Sequence, residues 1–137
     1  MGRALALTPI QSVTVIRSEP ELLEVETEYA ADGSPPPKHL HPAQDERFEV
    51  LAGTLRVVVD GEERDLATGE EIEIPRGSAH QMWNPGGEIA RVRWQTLPAG
   101  RTEDFFAALD RLNREQRLQE FPAVVEEFDD TFVLVWD

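Results

Sequence analysis

The chain has 137 residues, which is the length of one domain. Its 27 acidic and 13 basic residues give a formal net charge of -14, and this disfavours nucleic acid and anionic membranes as partners because both bind basic surfaces. The chain has no cysteine, which excludes disulfides, thiolate metal ligands and cysteine nucleophiles.

The amino-terminal segment carries no targeting signal that we can identify. Its apolar run, Ala4 to Leu7, is too short for a secretory signal peptide. No later stretch approaches the ~20 consecutive apolar residues of a membrane span. We therefore expect a cytoplasmic protein.

Apolar and polar residues alternate with a period of two from Leu22 to about Pro98, which is the signature of strands. In residues 23–29 the odd positions are predicted to face a core, and three glutamates between them face water. Further alternating or β-branched stretches occupy 46–50, 54–59, 71–74 and 90–94. Asp60-Gly61 is a strong signal for a tight hairpin turn. Short strands separated by frequent turns indicate an antiparallel sandwich or barrel.

The pattern becomes helical after Pro98. Thr102 is predicted to be a helix N-cap, and apolar side chains then recur every three or four residues at Phe105, Phe106, Leu109 and Leu112. A second short helix is expected from Pro122 through Phe128, and the apolar residues 132–136 are candidates for an added strand. We expect one domain over 1–137, with a barrel over about 20–97 and a helical extension over about 101–137.

Two of the three histidines are close together in the sequence, and the third lies at the start of a later predicted strand. His39 and His41 have strand spacing that puts both imidazoles on one face, Glu46 follows closely, and His80 comes just after Pro75-Arg76-Gly77. Three imidazoles and a carboxylate are typical ligands of a divalent transition metal in an open site. No serine triad, P-loop or dinucleotide fingerprint is visible, so we expect any chemistry to involve the metal.

The sequence resembles the cupin superfamily. Two blocks carry the resemblance, each without an insertion: Gly33, His39, His41, Glu46 and Gly53 in the first, and Gly69, Pro75, Gly77, His80 and Asn84 in the second. The resemblance implies a mostly β fold, the double-stranded β-helix or jelly-roll-type barrel, here with a C-terminal helical tail. The glycines are expected at sharp corners, and Asn84 is expected to shape a turn.

The resemblance also implies a metal site and a range of functions. The implied ligands are His39, His41, Glu46 and His80, and the implied ion is one divalent transition metal: Fe, Ni, Mn, Zn, Cu or Co. The first hypothesis is a metal-dependent dioxygenase acting on a small organic substrate, with Glu46 as ligand and also as catalytic base. The alternatives are a metal-dependent isomerase or lyase, and a non-catalytic module that binds a small molecule beside the metal.

Four side chains are candidates for the wall of a ligand pocket around the metal. Met82 is expected to point inward with His80 from the same strand, and Phe48, Trp94 and Tyr29 are the other candidates. The small organic ligand is the expected partner. The helical tail is expected to cover the barrel or to build a homodimer interface.

Overall fold

The structure is a computed structural model that describes residues 4–136. The domain was predicted over 1–137, so residues 1–3 and residue 137 of that range lie outside the described residues. Two antiparallel sheets face each other, with the helices near the C-terminus. The mostly β barrel and its helical tail are therefore confirmed. The strands are β1 (Ala4–Thr8), β2 (Gln11–Glu19), β3 (Leu22–Tyr29), β4 (His39–Leu40), β5 (Asp45–Ala52), β6 (Leu55–Val59), β7 (Glu62–Leu66), β8 (Glu71–Ile74), β9 (His80–Trp83), β10 (Ala90–Leu97) and β11 (Val133–Leu134).

The larger sheet has the strand order β1-β2-β3-β10-β5-β8, and the smaller has the order β11-β4-β9-β6-β7. Every second residue of a strand points between the sheets and contributes to the core, as the period of two predicts. In β3, for example, Leu23, Val25, Thr27 and Tyr29 are buried, whereas Glu28 is exposed. The core therefore lies between the sheets, and most acidic side chains are on the outside, Glu46 and Asp110 being buried exceptions.

Two turns show why particular residues are needed. Asp60 and Gly61 both have positive φ, 50° and 86°, which is the conformation of the tight turn predicted between β6 and β7. Gly53 has φ 80°, and a Cβ atom there would lie 3.0 Å from backbone atoms at the start of β10. The corner after β5 therefore excludes any side chain.

Two strands were missed in the sequence. The larger sheet begins at Ala4, because β1 pairs with β2 and β2 pairs with β3. The alternation that would have predicted these strands is present, since Leu5, Leu7 and Val13 are all buried. The barrel sheet thus extends further toward the N-terminus than the expected start near residue 20.

The tail packs against the barrel. Helix α1 (Thr102–Arg114) is followed by a 3-10 turn (Leu118–Glu120) and helix α2 (Phe121–Glu127). The N-cap prediction was wrong by one residue: Arg101 is the N-cap, and the Thr102 hydroxyl instead accepts a hydrogen bond of 2.7 Å from the Gln44 amide. The predicted apolar stripe of α1 is buried within the chain.

Hydrogen bonds fix the tail at both ends. The Asp110 carboxylate accepts the Ala6 N–H at 2.9 Å, and the Asn113 amide donates to the Ala6 carbonyl at 2.8 Å. At the other end β11 pairs with β4, with Leu134 opposite His39, which confirms the added strand. The tail therefore ends beside the histidines.

Candidate metal centre

The three histidines meet between the sheets. His39 and His80 are paired across β4 and β9, and their ring centroids are 4.4 Å apart. His41 lies just after β4, which is shorter than predicted, but its ring centroid is still 5.0 Å from that of His39. One nitrogen from each ring lies within 4.8 Å of the others, so this group could hold a metal ion.

Backbone carbonyls orient the imidazole rings. The Nδ1 atom of His41 is 2.7 Å from the Thr131 carbonyl oxygen, and that of His80 is 3.0 Å from the Ser78 carbonyl oxygen. A carbonyl oxygen only accepts, so both Nδ1 atoms carry a proton. In the neutral form of either ring, the Nε2 lone pair is then free to bind a cation.

Glu46 reaches the cluster from β5, in the opposite sheet. Its Oε2 lies 3.3 Å from His41 Nε2, and its Oε1 lies 3.2 Å from His80 Nε2. The Trp94 indole N–H donates a hydrogen bond of 2.9 Å to Oε2. The carboxylate is only 2% exposed, so water does not solvate it.

The pKa values follow from burial opposed by neighbouring charge. Burial acts to raise the pKa of Glu46, but the two histidines and the Trp94 N–H outweigh it, so the pKa lies below its usual value. Burial acts to lower the pKa of His80, but Glu46 carries it above its usual value. Burial and the other two imidazoles lower the pKa of His39 well below its usual value.

The contacts around Glu46 call for a cation. With Nδ1 protonated, a neutral His41 or His80 turns an Nε2 lone pair toward a carboxylate oxygen that also holds lone pairs, and such a contact is repulsive. Neither His41 Nε2 nor Glu46 Oε1 has a hydrogen-bond partner in the described part of the chain. A proton or a metal ion shared among these atoms removes the conflict. The residues present therefore fit a divalent transition metal with imidazole and carboxylate ligands.

A cavity of about 140 Å³ lies beside the cluster. All four side chains predicted for its wall do line it: Tyr29, Phe48, Met82 and Trp94. The rings of Phe48 and Trp94 stack at 5.3 Å, and Trp94 also contacts Phe106 of α1 at 5.1 Å.

Two tail residues that sequence reasoning missed contact the histidines. The Thr131 carbonyl holds His41, as described above, and the Phe132 ring stacks on His39 at 4.3 Å and 20° between planes. The apolar character of residues 132–136 gave a signal for Phe132. No signal exists for the Thr131 carbonyl, because every residue carries one.

The second-motif asparagine shapes a turn, as expected. The Asn84 amide donates to the carbonyls of Tyr29, Ala30 and Glu88, and its oxygen accepts the Gly86 N–H at 3.0 Å. It therefore holds the loop after β9 and takes no part in the histidine cluster. No helix within residues 4–136 is long and apolar enough to cross a membrane.

The sequence comparison identifies the family. A family model described as the cupin domain matches residues 25–96, more than half of the chain, and the chain therefore belongs to the cupin family. Among curated proteins it is 37% identical over 68 residues to the tetracenomycin polyketide synthase protein TcmJ of Streptomyces glaucescens, a match that covers 50% of this chain and 46% of TcmJ. It is 45% identical over 49 residues to oxidoreductase iacF of Pestalotiopsis fici, covering 35% of this chain and 24% of iacF. The chain thus spans less than half the length of these relatives.

Solved structures share the fold. KdgF from Halomonas sp. superimposes with a TM-score of 0.65 at 19% identity, covering 74% of this chain and 92% of KdgF. An RmlC-like cupin from Shewanella frigidimarina gives a TM-score of 0.66 at 20% identity, covering 75% of this chain and 89% of that cupin. A cupin-superfamily sugar phosphate isomerase from Silicibacter pomeroyi gives a TM-score of 0.60 at 21% identity, covering 67% of this chain and 62% of the isomerase. At these identities the likeness supports the barrel and says nothing about the activity.

Proposed function

We propose that this chain is a metal-binding monocupin in which His39, His41, His80 and Glu46 hold one divalent transition metal ion. The observation that carries the proposal is the convergence of the Nε2 atoms of His41 and His80 on a buried carboxylate, with each Nδ1 held by a carbonyl. The candidate ions remain Fe, Ni, Mn, Zn, Cu and Co, because imidazole and carboxylate suit all of them.

We further propose that the protein is an oxygenase acting on a small organic substrate. When bound, a redox-active metal would supply Lewis-acid polarisation of the substrate and the electrons for reaction with O₂. The match to a protein named as an oxidoreductase supports this reaction class.

Glu46 has two proposed roles. Its lowered pKa keeps it ionised, so it can act as a metal ligand and can accept a proton from a substrate. The neighbours that lower the pKa also make the carboxylate a weak base, because proton affinity falls with pKa. We therefore place ligation first, and catalysis as a base second.

The apolar side chains beside the cluster would bind and orient the substrate. Phe48, Met82 and Trp94 present ring and thioether surfaces to the cavity, and the Tyr29 hydroxyl is a hydrogen-bond donor whose pKa is raised, chiefly by burial. Helix α1 and Phe132 cover the same cavity and would exclude water from it.

The alternative is a non-catalytic module that holds a small molecule beside the metal. Coverage of the cavity by the tail favours this alternative, because a binding protein gains from slow release of its ligand. An isomerase or lyase that uses the same ion without O₂ is a further alternative.

Metal analysis tests the first proposal. Wild type, His41→Ala and Arg47→Ala would be purified identically, and bound metal would be measured by mass spectrometry. Arg47 follows Glu46 in β5, but its side chain is exposed and pairs with Glu73, so its variant is a matched control. We expect bound metal in wild type and Arg47→Ala and its loss in His41→Ala. Equal metal in all three would refute the assigned site.

Oxygen uptake separates the oxygenase from the binding module. Protein reconstituted separately with Fe, Ni, Cu and Mn would be supplied with catechols and β-diketones, which carry the oxygen atoms that a Lewis acid polarises. O₂ consumption with one ion, abolished in His41→Ala, is the expected result. Saturable binding of these compounds without O₂ consumption would establish the alternative.

The predictions of a homodimer and of a cytoplasmic location stay predictions. The apolar stripe of α1 was one reason to expect a dimer, but Phe105, Phe106 and Leu109 are buried within the chain. Light scattering during size-exclusion chromatography tests the dimer, since one chain has a mass of 15.4 kDa.

A further inference from the structure

The volume of the cavity limits the ligand. At about 140 Å³ it is close to the engineered protein cavity of about 150 Å³ that binds benzene. Phe105, Phe106 and Leu109 of α1 limit this volume on one side. Size alone therefore points to a molecule with one ring.

The shape of the walls favours a planar ligand. Besides the Phe48 and Trp94 pair, the rings of Phe105 and Phe132 stack at 5.0 Å with 30° between planes, and all four residues line the cavity. Flat aromatic faces on several sides bind an aromatic ring through offset or edge contacts.

The composition of the lining disfavours anionic ligands of the same size. No aspartate, glutamate, lysine or arginine belongs to the lining formed by the described residues. A phosphate or carboxylate entering this space would lose its hydration without gaining a lysine or arginine partner. His41 and His80 already face the buried Glu46 carboxylate, which would repel an anion. The cavity thus differs from one built for a sugar phosphate.

Uncharged polar groups complete the wall. Gln11 and Thr8 line the cavity with Tyr29, and burial raises the pKa of the Tyr29 hydroxyl, which therefore stays protonated. A hydroxyl-bearing ring could accept or donate hydrogen bonds there. Thr8 Oγ1 already accepts the Ile10 N–H, and the Gln11 amide already donates to the Thr27 hydroxyl, so the Tyr29 O–H is the group from which a ligand oxygen would accept.

We propose that this cavity selects an uncharged, single-ring hydroxylated aromatic compound, a phenol in the broad sense. The proposal deepens the proposed function and rests on it only in taking the histidine cluster as one wall of the ligand site. Selection comes from volume, aromatic walls and absent charge, none of which requires the metal.

Binding to metal-free protein tests the proposal separately from the metal site. Chelator-treated full-length protein would be titrated by calorimetry with phenol, 2-naphthol, benzoate and phenyl phosphate. We expect phenol to bind at least about tenfold more tightly than each of the other three, since burying an unpaired charge or an extra ring costs more than 1.4 kcal/mol. Equal or tighter binding of 2-naphthol, benzoate or phenyl phosphate would overturn the proposal, as would no binding of phenol.

Substitutions at Leu109 locate the binding. Leu109 lines the cavity from α1, so Leu109→Phe should weaken phenol binding by filling space and Leu109→Ala should admit 2-naphthol. Leu118→Ala is the matched control, because Leu118 is in the same tail but is exposed. Circular dichroism would verify folding. If a folded Leu109→Phe variant binds phenol as tightly as wild type does, the ligand lies elsewhere and the proposal is refuted. Phenol selection in a wild type that binds no metal would refute the proposed function alone.

Discussion

Trp94→Phe removes the hydrogen bond that holds Glu46 while keeping an aromatic ring in place. The indole N–H donates to Glu46 Oε2 at 2.9 Å, and both residues are buried. Phenylalanine can still contact Phe48, whose ring now stacks on Trp94. The variant therefore tests whether this N–H orients the carboxylate for a metal ion.

Two independent estimates give the size of the effect. A hydrogen bond to a charged group is worth about 1.5–3 kcal/mol. Removing a hydrogen-bond partner of a metal ligand typically lowers metal affinity 10- to 100-fold, which is about 1.4–2.8 kcal/mol. The two ranges agree, so we expect Zn²⁺ or Co²⁺ to bind Trp94→Phe roughly 10- to 100-fold more weakly than wild type.

Competition with a chromogenic chelator measures the affinity directly. Trp136→Phe is the matched control, because Trp136 is 82% exposed and the substitution is chemically the same. We expect the control to bind metal as wild type does. Wild-type affinity in a folded Trp94→Phe would refute the reasoning that this N–H positions Glu46.

Three further predictions concern the tail and the barrel corners. Phe132→Ala removes the ring stacked on His39, and we expect faster hydrogen exchange at the β11 amides together with weaker metal binding. Gly53→Ala should destabilise the fold by at least about 1–2 kcal/mol, seen as a lower Tm, because φ is positive and a Cβ would meet the backbone of β10. A hydrogen bond from Arg101 lowers the pKa of Asp130. The contribution of this pair to holding the start of α1 against the segment before β11 is therefore present above the unfolded pKa and is lost as pH falls through the folded one. The protection of tail amides against hydrogen exchange, corrected for the intrinsic pH dependence of exchange, should therefore fall at acidic pH, and less so in Asp130→Asn.

Each of these has a result that would contradict it. Unchanged β11 exchange in Phe132→Ala would mean that backbone pairing alone holds the tail. An unchanged Tm in Gly53→Ala would mean that the corner relaxes without cost. The same acid response in Asp130→Asn as in wild type would assign that response to other carboxylates.

Much of the barrel could be predicted because strand patterns are local. Leu23 and Val25 alternate with glutamates, and a strand with one buried face needs only that alternation. Strand β1 was missed because it has only five residues, and β2 was missed because polar residues dominate it, although Val13 and Val15 show the same alternation. The N-cap was misplaced because Thr102 hydrogen bonds with Gln44, a residue far away in sequence.

The spacing of His39, His41, Glu46 and His80 within two motifs indicated that these residues belong together. In the structure His39 and His80 meet across β4 and β9, and Glu46 reaches them from the opposite sheet. The spacing could not predict the contact between His41 and the Thr131 carbonyl, because the two residues are 90 positions apart. Contacts of this kind depend on how the tail packs, and a backbone carbonyl leaves no mark in the sequence.

The sequence by itself determined the alternating strands, the hairpin at Asp60-Gly61, the outward placement of most acids and the identity of the four candidate ligands. These follow from side-chain chemistry and local backbone geometry. The tertiary structure decided which ring nitrogens face Glu46, how Trp94 holds that carboxylate, and how α1 and Phe132 line a cavity of about 140 Å³. Volume and hydrogen-bond direction depend on the packing of segments that are distant in the chain, so no local pattern could reveal them.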